Sequence, residues 1–330
     1  MLNFREDFRE RVLTMNASDF DQLALEAFAY QAKHNPVYAQ YISHLGISIP
    51  NVRDYTQIPC LPIAFFKNHD VLCDGVIPEK TFESSGTTGQ ITSKHAIESC
   101  KFYDLLAERI FNEQYGALAD YEILALLPSY LERKNASLVH MVDNFISKSG
   151  KNSGFYLYNQ NELAEKIIEL TDRPCKVILI GVTFALLDMS AAFPTSLKDG
   201  ILIETGGMKG RKKEMIRQEV HELLKKGFGV TQVFSEYGMT ELTSQAYAGA
   251  DSNFQMPFSM KVLLREINDP FTPIQAFGRT GAINVIDLGN IHSCCFIETK
   301  DIGSLVNTHT FQVLGRMDNS DVRGCNLMVI

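Results

Sequence analysis

Two serines, two threonines and two glycines stand together in Ser84-Ser85-Gly86-Thr87-Thr88-Gly89. Glycine lets a backbone approach an anion closely, and hydroxyls with successive N–H groups can surround phosphate oxygens. The segment is not a Walker loop, since no GK[ST] closes it, and it is not a dinucleotide fingerprint. Taken alone it serves equally well as a polar turn between strands. A second segment, Ser235-Glu236-Tyr237-Gly238-Met239-Thr240-Glu241, follows the apolar run TQVF. An aromatic residue, a glycine and a carboxylate at the C-terminal end of a strand suit a ligand crevice in an α/β sheet. There Tyr237 can stack on a purine, and Glu241 can hold Mg2+, a hard cation that prefers carboxylate oxygen. The same residues also suit a helix start capped by Ser235 or Thr240. A third pair is Thr299-Lys300-Asp301-Ile302-Gly303 and Gly315-Arg316-Met317-Asp318-Asn319. Asp301 offers acceptors for a ribose diol, and Arg316 a planar fork for phosphate. Each is an ordinary hairpin signal by itself.

Such segments need strands and helices to hold them. The first fifty residues read as helical, broken near Pro36, and residues 58–62 (IPCLP) are forced into an extended path. Residues 99–114 form a helix. Residues 121–127 (YEILALL) form a buried strand, and Asn135 caps a helix running to Phe145. Lys176–Val182 and residues 201–204 are further buried strands. Residues 213–226 make an amphipathic helix stopped by Gly227, and residues 231–234 return to strand. Beyond residue 258 the chain is strand-rich, at 261–267, 282–288, 295–298 and 311–314. The expected class is α/β: parallel sheets flanked by helices over residues 1–257, then a more antiparallel, β-rich subdomain over 258–330 that ends in a short tail.

The 330 residues carry a formal charge of −8. That balance argues against nucleic acid as a main partner, without excluding one basic pocket for a nucleotide. Seven cysteines, with no CxxC pair, indicate neither a disulfide framework nor a zinc knuckle; reduced thiols in a cytoplasm fit best. Cys294 and Cys295 fall in an expected strand, where neighbours face opposite sides. The N-terminus mixes both charge signs and has no apolar h-region, and no apolar run approaches the ~18 residues of a membrane span.

Taken together and in order, SSGTTG, YGMTE, TKDIG and GRMDN resemble the motifs of the adenylate-forming superfamily of acyl-CoA synthetases and luciferases. The resemblance covers about residues 55 to 325. It implies the large N-terminal domain of that superfamily and an ATP-dependent activation of a carboxylic acid as an acyl-AMP. It implies phosphate contacts from Ser84, Ser85, Gly86, Thr87, Thr88 and Gly89. Nucleotide contacts would come from Glu236, Tyr237, Gly238, Met239, Thr240 and Glu241, with Mg2+ on Glu241. Asp301 would hold ribose, and Arg316 ribose or phosphate. Glu204-Thr205-Gly206-Gly207 looks like the segment lying against adenine, and His140 falls where that superfamily lines its acyl pocket.

A narrower likeness is to the acyl-protein synthetases of bacterial luminescence operons, which are fatty acid–protein ligases. It rests on residues 58–67 (IPCLPIAFFK), 127–133 (LPSYLER) and 205–211 (TGGMKGR). That family carries the acyl group as a thioester on a cysteine near its C-terminus, and Cys325 matches the position. Arg323, two residues away, favours its thiolate. An acyl reductase or acyl carrier is the downstream partner the family implies. Two departures stand out. The phosphate loop continues as QITSK without the usual proline, and the lysine of the superfamily's small C-terminal domain has no counterpart here. Lys94, Lys209 and Arg211 are the candidates for that positive charge, Lys209 first. Alternative readings are an acyl- or aryl-CoA ligase, or a non-catalytic nucleotide- or acyl-binding protein.

Overall fold

A computed structural model describes residues 2–84, 91–127, 135–157, 159–206 and 215–317. Among them the helices are α1 (Leu2–Thr14), α2 (Phe20–His34), α3 (Pro36–His44), α4 (Phe65–Asn68), α5 (Cys100–Tyr115), α6 (Ser137–Lys148), α7 (Gln160–Thr171), α8 (Thr183–Ala192) and α9 (Arg217–Phe228). The strands are β1 (Leu61–Pro62), β2 (Lys80–Glu83), β3 (Lys94–Ile97), β4 (Tyr121–Leu126), β5 (Gly154–Tyr156), β6 (Lys176–Val182), β7 (Ile201–Thr205) and β8 (Phe234–Tyr237). They continue as β9 (Ala246–Ala248), β10 (Phe254–Gln255), β11 (Met260–Arg265), β12 (Pro273–Ile274), β13 (Thr280–Asp287), β14 (Phe296–Leu305) and β15 (Thr310–Arg316).

One sheet runs β12-β11-β13-β14-β15-β10-β9-β8-β7-β6-β4-β5, with β1 added alongside β14; β2 and β3 form a separate hairpin. From β5 to β8 all pairs are parallel. From β8 through β15 and on to β12 they are antiparallel. The parallel half is covered on both faces, which is why β6 reads KVILIGV with no polar alternation. Hydrogen bonding passes across residues 257–258 without a break, because β9 and β10 pair onward to β15.

Several boundaries differ from the sequence expectation, each for a local reason. Gly227 lies inside α9 rather than ending it. A Cβ there would stand 2.3 Å from Ser190 Cβ, so this glycine lets α9 cross α8 closely. The stop is Gly229, which adopts φ 61°. The strand expected at 231–234 begins at Phe234 and carries the chemical segment itself as far as Tyr237, so Ser235 is a strand residue and not a helix cap. Asn135 is not the cap of α6; Ala136 holds that place.

The amino-terminal helices are fastened to the far end of the chain. Gln31 donates to the Asn290 carbonyl at 2.9 Å and accepts from the Cys295 N–H at 2.9 Å, and Asn35 donates to the Ser293 carbonyl at 2.8 Å. β1 pairs in parallel with β14, Leu61 opposite Ile297. Buried Arg5 forks onto Glu98 (2.7 Å) and bonds Tyr30. Among the described residues no helix is long and apolar enough to cross a membrane.

Candidate active site

Parallel strands β7 and β8 bring two segments thirty residues apart in the chain to the same end of the sheet. In their register Glu204 opposes Ser235 and Thr205 opposes Glu236. Glu204 accepts from Ser235 Oγ (2.6 Å) and Thr183 Oγ1 (2.5 Å) and faces His221 Nε2 (3.7 Å) and Arg217 Nε (3.9 Å). Burial opposes its ionisation, but these donors outweigh burial and hold the carboxyl below its ordinary range. Thr183 Oγ1 also lies 2.7 Å from the Gly206 carbonyl, tying α8 to the bend that ends β7. Glu236 accepts a hydrogen bond from Thr205 Oγ1. Burial pushes the Glu236 carboxyl up to about 7, against the Thr205 bond and with help from the Glu204 charge.

On the antiparallel side, Tyr237 at the end of β8 donates to Asp301 Oδ2 at 2.8 Å. Its ring is buried against Phe254 and Phe311, at centroid distances of 5.7 and 5.5 Å. Burial raises the Asp301 carboxyl, while the Tyr237 bond and the Arg316 charge oppose the rise. Asp301 was expected in a glycine turn, yet it sits mid-strand in β14, directly opposite Arg316 of β15. Arg316 Nε lies 3.8 Å from Asp301 Oδ1, and its side chain is 64% exposed. Gly303 is a strand glycine because a Cβ would come 2.2 Å from the Gln312 carbonyl, beside the register shift after Ile302. Neither TKDIG nor the start of GRMDN is therefore a hairpin turn.

Ser84 closes the third side. Its N–H donates to the Ser93 carbonyl (3.0 Å), and its Oγ accepts from the Ser93 N–H (2.9 Å). The Ser93 side chain in turn bonds Glu241, which is buried. Burial raises the Glu241 carboxyl; the Ser93 bond and the Arg316 charge counter it. His95 Nδ1 lies 2.9 Å from the Thr240 carbonyl, and burial lowers this imidazole to about 4, so at neutral pH it is uncharged and donates from Nδ1. The backbone beyond Glu241 is held by Asn290, which donates to the Glu241 carbonyl, and by Asp287, which accepts from the N–H groups of Thr243 and Ser244.

His140 stands on α6 with Nδ1 3.0 Å from Lys80 Nζ and Nε2 3.0 Å from Asp104 Oδ1. Its ring packs on Phe82 and Tyr103. Phe82 precedes Ser84 by two residues, so His140 borders the root of the serine-rich loop.

The structure thus brings Ser84, Gly206, Glu236, Tyr237, Gly238, Met239, Thr240, Glu241, Asp301 and Arg316 into one continuous set of contacts or their immediate chain neighbours. Ser85, Gly86, Thr87, Thr88, Gly89, Gly207, Lys209 and Cys325 lie outside the described residues. Sequence reasoning named Glu204 in the adenine segment but missed its partners Thr183, Arg217 and His221, and missed the supports Ser93, His95 and Tyr103. Ser93 and His95 are marked in the sequence only by proximity to the serine-rich loop, and the others carry no signal, since His221 and Arg217 read as ordinary positions on an amphipathic helix.

The fold of the chain is that of adenylate-forming enzymes. The chain is similar to 2-hydroxyisobutyryl-CoA ligase in complex with 2-HIB-AMP and CoA in its thioesterification state, with a TM-score of 0.67 and 13% identity, covering 94% of this chain and 71% of that one. The open conformation of that ligase gives 0.66 and 11%, over 92% and 71%. O-succinylbenzoate coenzyme A synthetase from Bacillus subtilis, in complex with AMP, gives 0.51 and 15%, over 74% of this chain and 64% of that one. No family model matches the chain, and no curated protein matches it.

Proposed function

We propose that the protein activates a carboxylic acid with ATP as an acyl-AMP and then passes the acyl group to a thiol. The observation that carries this reading is the Tyr237–Asp301 hydrogen bond, which sets the sheet end bearing Gly206 and Gly238 beside the paired carboxylate and guanidinium of β14 and β15. In this reading the loop Ser84–Gly89 cradles phosphate, Asp301 receives the ribose hydroxyls, and Arg316 reaches ribose or phosphate. The acid's carboxylate oxygen attacks the α-phosphorus, a P–O bond forms, and pyrophosphate leaves with the electron pair. Donors and cations must offset phosphate charge for that approach, and Lys209 is the candidate cation.

Mg2+ keeps several waters and needs only one or two carboxylates beside substrate phosphates. Glu241, an acidic oxygen ligand held by Ser93, fits that demand; a bound Mg2+ there would screen the phosphates.

In the finer reading the acceptor is Cys325: its thiolate attacks the acyl carbon and AMP leaves, as in the fatty acid–protein ligases that IPCLPIAFFK, LPSYLER and TGGMKGR resemble. An acyl reductase or carrier would then take the acyl group, in a cytoplasm that keeps thiols reduced. A second reading, with CoA as acceptor, draws on the likeness to a ligase whose complex holds CoA.

The test is acid-dependent exchange of labelled pyrophosphate into ATP. Exchange that requires a carboxylic acid is expected; its absence across aliphatic and aromatic acids would end the reading. Labelled acid with ATP then separates the acceptors. Hydroxylamine-sensitive label on the protein that is lost in Cys325→Ser assigns Cys325, whereas label appearing only on added CoA assigns CoA.

A further inference from the structure

The hairpin β2–β3 is a sheet of its own and shares no strand pairing with the large sheet. Ser84 follows β2 and Ser93 precedes β3, so this hairpin is the root of the serine-rich loop. The segment Tyr237–Glu241 hangs instead from the large sheet, at the end of β8. The two halves of the proposed nucleotide site thus stand on separate sheets, and side chains must set one against the other.

Two side chains of the hairpin reach a single stretch of that segment. Ser93 and His95 are two positions apart, so an extended chain turns both to the same side. Both are buried. The Ser93 hydroxyl bonds the Glu241 carboxylate, and His95 Nδ1 donates to the Thr240 carbonyl at 2.9 Å. Ser93 also bonds Ser84 through both of its backbone groups. The link therefore runs from the root of the loop, through the start of β3, to Thr240 and Glu241.

The rest of the His95 ring meets other rings. Phe66 approaches it edge-on at 5.8 Å, and His292 stacks on it at 5.6 Å. A phenylalanine would pack between them at lower cost, because imidazole nitrogens give up water on burial. What phenylalanine lacks is a donor for the Thr240 carbonyl. A directional bond to that oxygen fixes the tilt of the peptide between Thr240 and Glu241, and with it where both side chains point.

We propose that His95 is a positioning residue: by donating from Nδ1 to the Thr240 carbonyl it holds the segment Tyr237–Glu241 in register with the hairpin that carries the phosphate loop. The inference rests on the adenylation reading above and adds to it a residue from outside the four motifs.

Two substitutions separate the donor from the ring. His95→Phe keeps a ring between Phe66 and His292 and removes the donor. His95→Asn gives up the ring and keeps an N–H as many bonds from the backbone as Nδ1. Pyrophosphate exchange is measured with ATP and acid varied separately, and AMP binding by calorimetry without metal. His95→Phe should raise KM for ATP and weaken AMP binding tenfold or more, with KM for the acid within about twofold of the wild type. His95→Asn should bring both nucleotide values back to within about threefold, even where its unfolding midpoint is lower. A purely structural loss lowers the active fraction and leaves KM for ATP unchanged. Wild-type nucleotide values in His95→Phe, or equal losses in the two variants, overturn the assignment and leave adenylation standing. Should His95→Phe not fold, hydrogen exchange of the wild type decides: AMP should protect residues 94–97 and 241–244 together, and protection of one stretch alone overturns it. The expected variant pattern in AMP binding, without exchange for any acid, keeps this inference and removes adenylation. A wild type that binds no AMP removes both.

Discussion

The Tyr237 hydroxyl donates to Asp301 Oδ2 at 2.8 Å and so joins the end of a parallel strand to the middle of an antiparallel one. In the proposed site that bond aims Asp301, whose other oxygen faces Arg316.

Asp301→Ala should weaken ATP and AMP binding by roughly 10–100-fold, the scale of losing hydrogen bonds to a charged group at about 1.5–3 kcal/mol. Tyr237→Phe should have a smaller effect in the same direction, because it frees the carboxylate without removing it. Titration calorimetry with AMP measures both. Equal AMP affinity in Asp301→Ala and the wild type would place the nucleotide elsewhere.

Glu241→Gln should raise the Mg2+ concentration needed for half-maximal exchange tenfold or more, while AMP binding without metal changes little. Gln keeps an acceptor for Ser93 and loses the charge. An unchanged Mg2+ requirement would remove Glu241 as a ligand.

Glu236 predicts a pH dependence of stability with a definite sign. Its folded value is raised to about 7 from an ordinary 4.5, by burial and the Glu204 charge. Between those values the unfolded chain releases a proton that the folded protein retains, so this group makes stability fall as pH rises from about 4.5 to about 7 and level off above. Relative to the wild type, Glu236→Gln should gain on the order of 2–3 kcal/mol between pH 5 and pH 8. Denaturant unfolding at the two pH values reads it; a constant difference between the proteins would mean that Glu236 is ionised throughout.

Glu98→Ala leaves Arg5 buried without its carboxylate partner and should cost about 3–5 kcal/mol. The double replacement Arg5→Met, Glu98→Leu should cost clearly less, because the fully buried charge goes with its partner and only Arg9, which keeps some solvent access, loses Glu98. Urea unfolding of the three proteins checks this. Equal costs would show that packing, rather than charge pairing, governs the position.

Much of the frame was legible in the chain because burial on both faces leaves its mark on composition. β6 and β4 could be read from uninterrupted apolar runs, whereas the change from parallel to antiparallel order comes at β9 (Ala246–Ala248), ahead of the expected boundary at 258. What escaped were contacts between elements distant in the chain. Gly227 reads as a helix stop in one dimension, and only the nearness of Ser190 reveals it as a crossing point. Asp301 before a glycine reads as a turn, because the need for glycine comes from the Gln312 carbonyl on the neighbouring strand. For the site, the motif residues were visible from their types. Ser93, His95 and Thr183 were not, since a serine, a histidine and a threonine acquire meaning there only through a partner 20 or more positions away.

Gln31 and Asn35 find their acceptors at residues 290–295, and β1 finds its neighbour at Ile297. Helices α2 and α3 thus have polar groups that are matched only once residues 259 and 258 positions further along the chain have joined the fold. Until then those side chains stay solvated, so the docking of α2 and α3 onto residues 290–295 is a late, long-range step in folding. Cleavage within residues 288–298 should accordingly loosen the opposite terminus of the chain as much as the strand that is cut.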